Sequence, residues 1–333
     1  MKIIKVSSSN STTTELFLRQ TAGRLGIWGD CKFIVNLPTS QCDWWFICHQ
    51  SGVQKHEVAM CDPEHIVFIS MEPTEGSTPH LFYKQFSKLL LCDRSIKHPN
   101  IQYVNGITWW AGIHVAFEEG HKYLPVITHD YDSLNKMSIP LKKNRISVIC
   151  SNKNWFPGHK KRLDFLEKIR SHPIGRYIDF YGAGHNHVLD KLDAINAYKY
   201  HLVLENSIVP DYWSEKLGDS FLGFSLPIYY GCPNIENYFP NKALIRIDID
   251  NFDETIETLQ SIINNDIYEN YLPLIIEARS LILDRYNLFQ LMANICTEPA
   301  SKLVKCSVRP SWYFAGSLPR RLVRRLLHRL RGI

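Results

Sequence analysis

Two short polar clusters in this 333-residue chain combine the residue types that can hold a diphosphate and a sugar. Both lie in the stretch 198–239. Glu205-Asn206-Ser207 follows the apolar run Leu202-Val203-Leu204, and Tyr212-Trp213-Ser214-Glu215-Lys216 opens a helical pattern continued by Leu217, Phe221 and Leu222. A second buried strand, Leu226 to Tyr230, then ends at Gly231. In an open α/β sheet, ligands bind beyond the carboxyl ends of the strands, and a helix starting there offers amide dipoles to an anion. Strand, polar loop, helix and strand in this order predict a nucleotide-diphosphate site. The plainer alternative is a βαβ unit whose polar residues serve only as loop and cap residues.

The same stretch resembles glycosyltransferase family 10, the α-1,3/1,4-fucosyltransferases, in their bacterial form. The resemblance rests on Glu205-Asn206-Ser207, on Tyr212-Trp213-Ser214-Glu215-Lys216 and on Pro227-Ile228-Tyr229-Tyr230-Gly231, closely spaced and in the family's order. A further match precedes them: Ser151-Asn152, then Arg162 in Lys160-Lys161-Arg162-Leu163-Asp164 at the start of a helical pattern. The resemblance is firm from about 145 to 240 and weaker over the first 140 residues.

The resemblance implies an inverting transfer of L-fucose from GDP-β-L-fucose to a hydroxyl of a glycan acceptor. Such a reaction needs a base for the acceptor proton and positive charge for the leaving diphosphate. Arg162 and Lys216 are the implied diphosphate contacts; a guanidinium fork suits phosphate oxygens. The helix N-terminus at Ser214 would hold the diphosphate with them. Glu215 would hold the ribose or sugar of the donor, although an acidic residue there also complements the helix dipole. Asn206 and Tyr212 would contact the donor, and Glu205 would accept hydrogen bonds from sugar hydroxyls. Glu72, in Ile69-Ser70-Met71-Glu72-Pro73, stands where the family places its catalytic base. The local element Glu-Pro-Thr-Glu departs from the family pattern, so Glu75 is the fallback. A base works best with its pKa raised toward neutrality.

Other reactive residues read as structural. Asp248-Ile249-Asp250 is a D-x-D at a strand end, taken as turn chemistry before Asn251. His185 and His187 sit in a Gly-containing loop with no implied metal. Cys232 has no neighbouring histidine to activate it and reads as a buried thiol. The implied chemistry needs no essential cofactor; a divalent metal would at most stimulate. Trp44-Trp45 reads as strand core. Trp109-Trp110, in a less regular segment, is the better candidate for stacking on a sugar, with core as the default.

The positioning elements are strands alternating with helices in two successive units. Strand candidates are 1–6, 33–35, 44–48 and 66–71, with helical periodicity over 81–91. The polar, Pro-containing stretch 129–144 reads as a linker. Strands at 145–150, 178–181 and 243–249 and helices at 160–170, 253–264 and 268–286 follow. This predicts α/β throughout: residues 1–142 as an acceptor-binding domain, 143–300 as the donor domain and 301–333 as a tail. The resemblance makes this GT-B, two Rossmann-like domains facing each other across a cleft.

Hydrophobic residues make up 45% of the chain and charged residues 21%, which excludes disorder. Nine scattered cysteines without a paired CxxC suggest reduced thiols in a cytoplasmic setting. The opening MKIIKVSSSN is too short an apolar run for a signal peptide, and no run of eighteen apolar residues occurs. The net charge of +5 is concentrated after Pro319, where Arg320, Arg321, Arg324, Arg325, Arg329 and Arg331 face a stripe of Leu318, Leu322, Leu326 and Leu330. A basic footprint confined to one tail argues against nucleic acid. It predicts an amphipathic helix on an anionic membrane, peripheral at the inner face of the cytoplasmic membrane, where lipopolysaccharide or other surface-glycan acceptors are built. The alternatives are another GDP-sugar donor on the same fold, or a catalytically silent glycan-binding protein at the membrane surface. The oligomeric state has no signal in the sequence.

Overall fold

The computed structural model describes residues 1–8, 13–48, 53–74, 76, 78–104, 106–118, 122–182 and 184–315. The basic tail and Glu75 lie outside them. The chain divides into two compact units, Met1–Ile107 together with the segment from Leu288 onward, and Thr108–Asn287.

The first unit is built on strands β1 (Lys2–Ser8), β2 (Ile27–Trp28), β3 (Cys31–Val35), β4 (Trp44–Cys48), β6 (Ile66–Ile69), β7 (Lys88–Leu91) and β8 (Ile101–Tyr103). Their order is β2-β3-β1-β4-β6-β7-β8, parallel except for β2 against β3. β4 and β6 are buried along their whole length, as strands covered on both faces must be. Alternate residues supply two cores: Ile4, Val6, Phe33, Phe46 and Ile69 on one side, and Trp45, Ile47, Phe68, Phe82 and Leu89 on the other. Helix α1 (Thr13–Leu18) and the single turn α2 (His80–Tyr83) pack here. The helical period expected over 81–91 therefore breaks after one turn. Leu89-Leu90-Leu91 form a fully buried strand, whose continuous apolar run periodicity cannot distinguish from a helix.

The second unit holds the hairpin β9 (Ile113–Glu118)/β10 (Lys122–Ile127) and a five-stranded parallel sheet. The sheet comprises β11 (Lys143–Ile149), β12 (Ile178–Tyr181), β13 (Tyr198–Leu204), β14 (Leu226–Tyr230) and β15 (Ile245–Arg246), in the order β12-β11-β13-β14-β15. Helices α3 (Tyr131–Lys136), α4 (Pro157–Ser171), α5 (Glu215–Leu222), α6 (Phe252–Asn265) and α7 (Tyr268–Leu283) accompany it. The strand expected over 243–249 shrinks to two residues because Asp248 starts a turn: its carboxylate accepts from Asp250 N at 3.0 Å, and Asn251 caps α6.

The linker expected at 129–144 is corrected. Asp130 and Ser133 form a capping box for α3, and Leu134 is buried with its carbonyl bonded by the Arg279 guanidinium. The boundary instead falls at 107/108. Asp219 accepts from the amides of Trp110 and Ala111, each at 2.9 Å. Asp190 accepts from the Gly112 amide at 2.9 Å and from Thr128 Oγ1 at 2.5 Å. These buried carboxylates bind 108–112 to the second unit.

The chain returns to the first unit after 287. Helix α8 (Leu288–Ala293) places Phe289 edge-on to Phe33 with ring centroids 4.9 Å apart, and β16 (Val304–Val308) pairs antiparallel with β5 (Glu57–Cys61). Within the second unit, Lys142 sends its ammonium among the carbonyls of Ile195, Asn196, Tyr198 and Gly223 at 3.5, 3.0, 2.9 and 2.7 Å, with Ser225 Oγ at 3.3 Å. All nine cysteines are buried free thiols. Among the described residues no helix is long and apolar enough to cross a membrane.

Candidate functional site

The carboxyl ends of β13 and β14 and the amino ends of α4 and α5 gather most of the expected donor residues. β13 delivers Glu205, whose carboxylate turns inward and is 2% exposed. It accepts from the Ser214 amide at 2.8 Å and from Ser214 Oγ at 2.8 Å. Lys216 Nζ lies 3.4 Å away. Glu205 thus fixes the start of α5, and its oxygens are engaged there rather than presented to sugar hydroxyls as expected. Gly231 is required beside it: a Cβ would sit 2.2 Å from the Tyr229 hydroxyl and 2.7 Å from Glu205 Cγ.

Ser214 is the N-cap of α5, its Oγ accepting from Lys216 N at 3.3 Å. Lys216 Nζ also reaches Ser214 Oγ at 3.0 Å and Glu215 at 3.5 Å. Burial opposes the Lys216 charge, but Glu205 and Glu215 outweigh it and hold its pKa above the ordinary value. Burial likewise opposes the Glu215 charge, but Lys216 and Lys191 outweigh it and pull its pKa down to about 2. Lys191, which sequence reasoning missed, links Glu215 at 3.4 Å to the buried Asp219 at 2.9 Å. Its signal was faint: Asp219 stands one helical turn beyond Glu215.

α4 supplies the other half. Gly158 packs so closely on the end of β13 that a Cβ would lie 1.9 Å from the Asn206 carbonyl oxygen. The helix begins at Pro157 with Phe156 as N-cap and no side-chain cap. Arg162, 4% exposed, donates to the Leu204 carbonyl at 3.4 Å, and its buried Nε has no partner. Asn206 Oδ1 is also buried without a partner, as is Nδ1 of His159, a residue sequence reasoning missed. Polar atoms left this way cost about 1–3 kcal/mol each, so three around one helix start make it the candidate ligand site. Buried arginine, half-buried lysine and an uncapped helix end suit an anion.

Tyr212 is buried at 7% exposure in a loop pinned by Asp211, whose carboxylate accepts from Asn234 Nδ2 at 2.7 Å and from Tyr238 OH at 2.8 Å. Cys232 is fully buried, its Sγ directed at Asn234 Oδ1 and its pKa pushed up to about 11 by burial. Lys161 pairs with Asp250 and bonds Tyr230 OH at 2.7 Å, so it is tied down. His185 bonds Arg170, and among the described residues no cluster of three His, Cys, Asp or Glu side chains could hold a metal. Trp44, Trp45 and Trp109 are core; Trp110 is half-buried.

Glu72 belongs to the first unit. It follows β6 at the carboxyl edge of that sheet, half-buried, its amide donating to Ser70 Oγ at 3.1 Å.

A parallel α/β unit with a buried arginine and an uncapped helix start at its strand ends is the class these features define. Residues 139–291 match the family described as "Glycosyltransferase family 10 (fucosyltransferase) C-term". Over 146 residues the chain is 30% identical to the alpha-(1,3)-fucosyltransferase FucT of Helicobacter pylori, covering 44% of this chain and 29% of that protein. Over 139 residues it is 32% identical to the human 4-galactosyl-N-acetylglucosaminide 3-alpha-L-fucosyltransferase 9, covering 40% of this chain and 37% of that one. The chain thus matches under two-fifths of the length of these curated relatives. Among solved structures, an alpha1,3-fucosyltransferase with GDP-fucose superposes with a TM-score of 0.46 at 17% identity, covering 85% of this chain and 91% of that one. The lipopolysaccharide outer core galactosyltransferase WaaB gives 0.42 at 10% identity, covering 89% and 99%.

Proposed function

We propose that this protein transfers L-fucose from GDP-β-L-fucose to a glycan hydroxyl with inversion, giving an α-1,3 linkage or its α-1,4 counterpart. The observation that carries the reading is the Arg162 guanidinium, buried with an unpartnered Nε at the uncapped start of α4, inside the segment that matches the fucosyltransferase domain. The two curated relatives are named as fucosyltransferases.

In this reading the diphosphate sits on the start of α4 between Arg162 and Lys216. Glu215, held ionised by Lys216 and Lys191, accepts hydrogen bonds from ribose or sugar hydroxyls, and Asn206 Oδ1 accepts another. Tyr212 shapes the wall, while Ser214 and Glu205 hold Lys216 in place. The acceptor oxygen attacks the anomeric carbon as the bond to the β-phosphate oxygen breaks. Glu72 receives the acceptor proton, and the leaving diphosphate takes the electron pair. Arginine, lysine and helix amides stabilise that charge, so no metal is required. The acceptor is a bacterial surface glycan, reached from the cytoplasmic face of the membrane through the basic tail after Pro319.

Calorimetric titration with GDP, UDP and GDP-fucose tests the donor. Tight GDP and GDP-fucose binding with weak UDP binding is expected; a preference for UDP, or no nucleotide binding, overturns the reading. Removing the tail from Pro319 onward is expected to abolish binding to anionic liposomes, and unchanged binding would sink the membrane assignment.

A further inference from the structure

We propose that His159 belongs to the diphosphate-binding surface and takes up a proton when the anion is seated, an inference that rests on the donor reading above. His159 lies three residues before Arg162, on the same face of α4. Its side chain packs against Phe156, with ring centroids 5.5 Å apart, and the residue is 7% exposed. Nδ1 is buried and has no partner, like Arg162 Nε and Asn206 Oδ1 around the same helix start. An unprotonated Nδ1 is a hydrogen-bond acceptor and repels a phosphate oxygen, whereas Nδ1–H donates to it. Opposite a phosphate oxygen, the orphaned nitrogen is completed only when it carries a proton.

The charges around the ring set when that happens. Arg162 faces it from α4, Lys153 from the preceding loop and Lys216 from α5. Lys216 is itself countered by Glu205 and Glu215, and the buried Cys150 thiol just after β11 lies in the field of Arg162 and Lys216. Burial first, then Arg162, Lys153 and Lys216, hold the imidazole pKa below its ordinary 6.5, so the ring is neutral at pH 7 without ligand. A diphosphate placed among these cations reverses the sign of the local field. The imidazole pKa then rises, and one ring nitrogen takes a proton from solvent as the ligand binds. Affinity falls as pH rises through the bound-state pKa and levels off below the free-state pKa.

The test is calorimetric titration of the full chain with GDP-fucose at several pH values, in buffers of different ionisation enthalpy. The diphosphate of this ligand is esterified at both ends and does not titrate near neutrality, so any proton uptake belongs to the protein. The wild type is expected to take up more than about half a proton per ligand near pH 7, with affinity weakening up to about tenfold per pH unit between the free-state and bound-state pKa and levelling off above the latter. His159→Asn is expected to bind more weakly, with uptake lost and the pH profile flat; His159→Gln is the second variant if the first misfolds. Binding by the wild type with no buffer-dependent heat overturns the proposal and leaves the donor reading standing. Uptake that persists in a folded variant overturns it as well, by placing the proton elsewhere. No binding of GDP-fucose by the folded wild type overturns the donor reading itself.

Discussion

Two cations of the second unit, the half-buried Lys142 and the buried Arg162, stand in opposite circumstances. Among the described residues Lys142 has no carboxylate partner but meets four carbonyls and a hydroxyl within 3.5 Å. Arg162 has five N–H donors to place and one 3.4 Å hydrogen bond, with Nε left bare. A charge whose donors are all met closes a fold; one left open is held for something that arrives later. The two backbone segments that converge on Lys142, at 195–198 and 223–225, make it a rivet. Arg162 instead meets the end of β13 at Leu204, just before Glu205-Asn206-Ser207.

The largest effect expected from this contrast is on folding. Lys142→Ala strips several buried carbonyls of their donor, and at about 1–3 kcal/mol for each unsatisfied group the loss should reach about 3 kcal/mol or more in urea unfolding. A loss below about 1 kcal/mol would break the comparison. Arg162→Ala should do the reverse. Its stability should hold or rise, because an incompletely paired buried charge has been removed. GDP affinity should fall by roughly thirtyfold, the equivalent of about 2 kcal/mol for a charged hydrogen-bonded contact. Smaller again is Ser214→Ala, which removes the α5 cap and should cost about 1 kcal/mol of stability while loosening Lys216.

The mildest prediction concerns acid. Glu215 is held near pKa 2 against an ordinary 4.5, so its carboxylate contributes stability fully above about pH 4.5 and loses it as pH falls toward 2. At pH 4 this loss is under about 1 kcal/mol. Glu215→Gln should therefore flatten stability against pH in that window, and an unchanged acid profile would mean that Lys216 and Lys191 do not hold this charge.

The donor half was legible because its residues are contiguous. Glu205-Asn206 end one strand and Ser214-Glu215-Lys216 begin one helix, so local order maps directly onto one edge of a sheet. Glu205 shows the limit of that legibility. Its type and position were readable, but the direction of its carboxylate depends on Ser214 nine residues later. His159 was hidden for a related reason: burial and a missing partner are properties of packing, and its only written trace is the spacing to Arg162 behind Pro157-Gly158. Alternating strands and helices disclosed two α/β units, yet the boundary was misplaced because Asp190 and Asp219 hold 108–112 from far along the chain. The return of 288–308 left even less signal, since contacts such as Trp44 Nε1 to the Glu298 carbonyl, at 2.7 Å, join residues 254 apart.

That return sets the order in which the protein can be made. Unit two is complete once Asn287 has left the ribosome, so it can fold while synthesis continues. Unit one, begun first, must wait with Phe33 uncovered and β5 unpaired until Phe289 and β16 emerge. The first-born sheet is the last to be finished, and through that interval it depends on whatever shields nascent apolar surface in the cell.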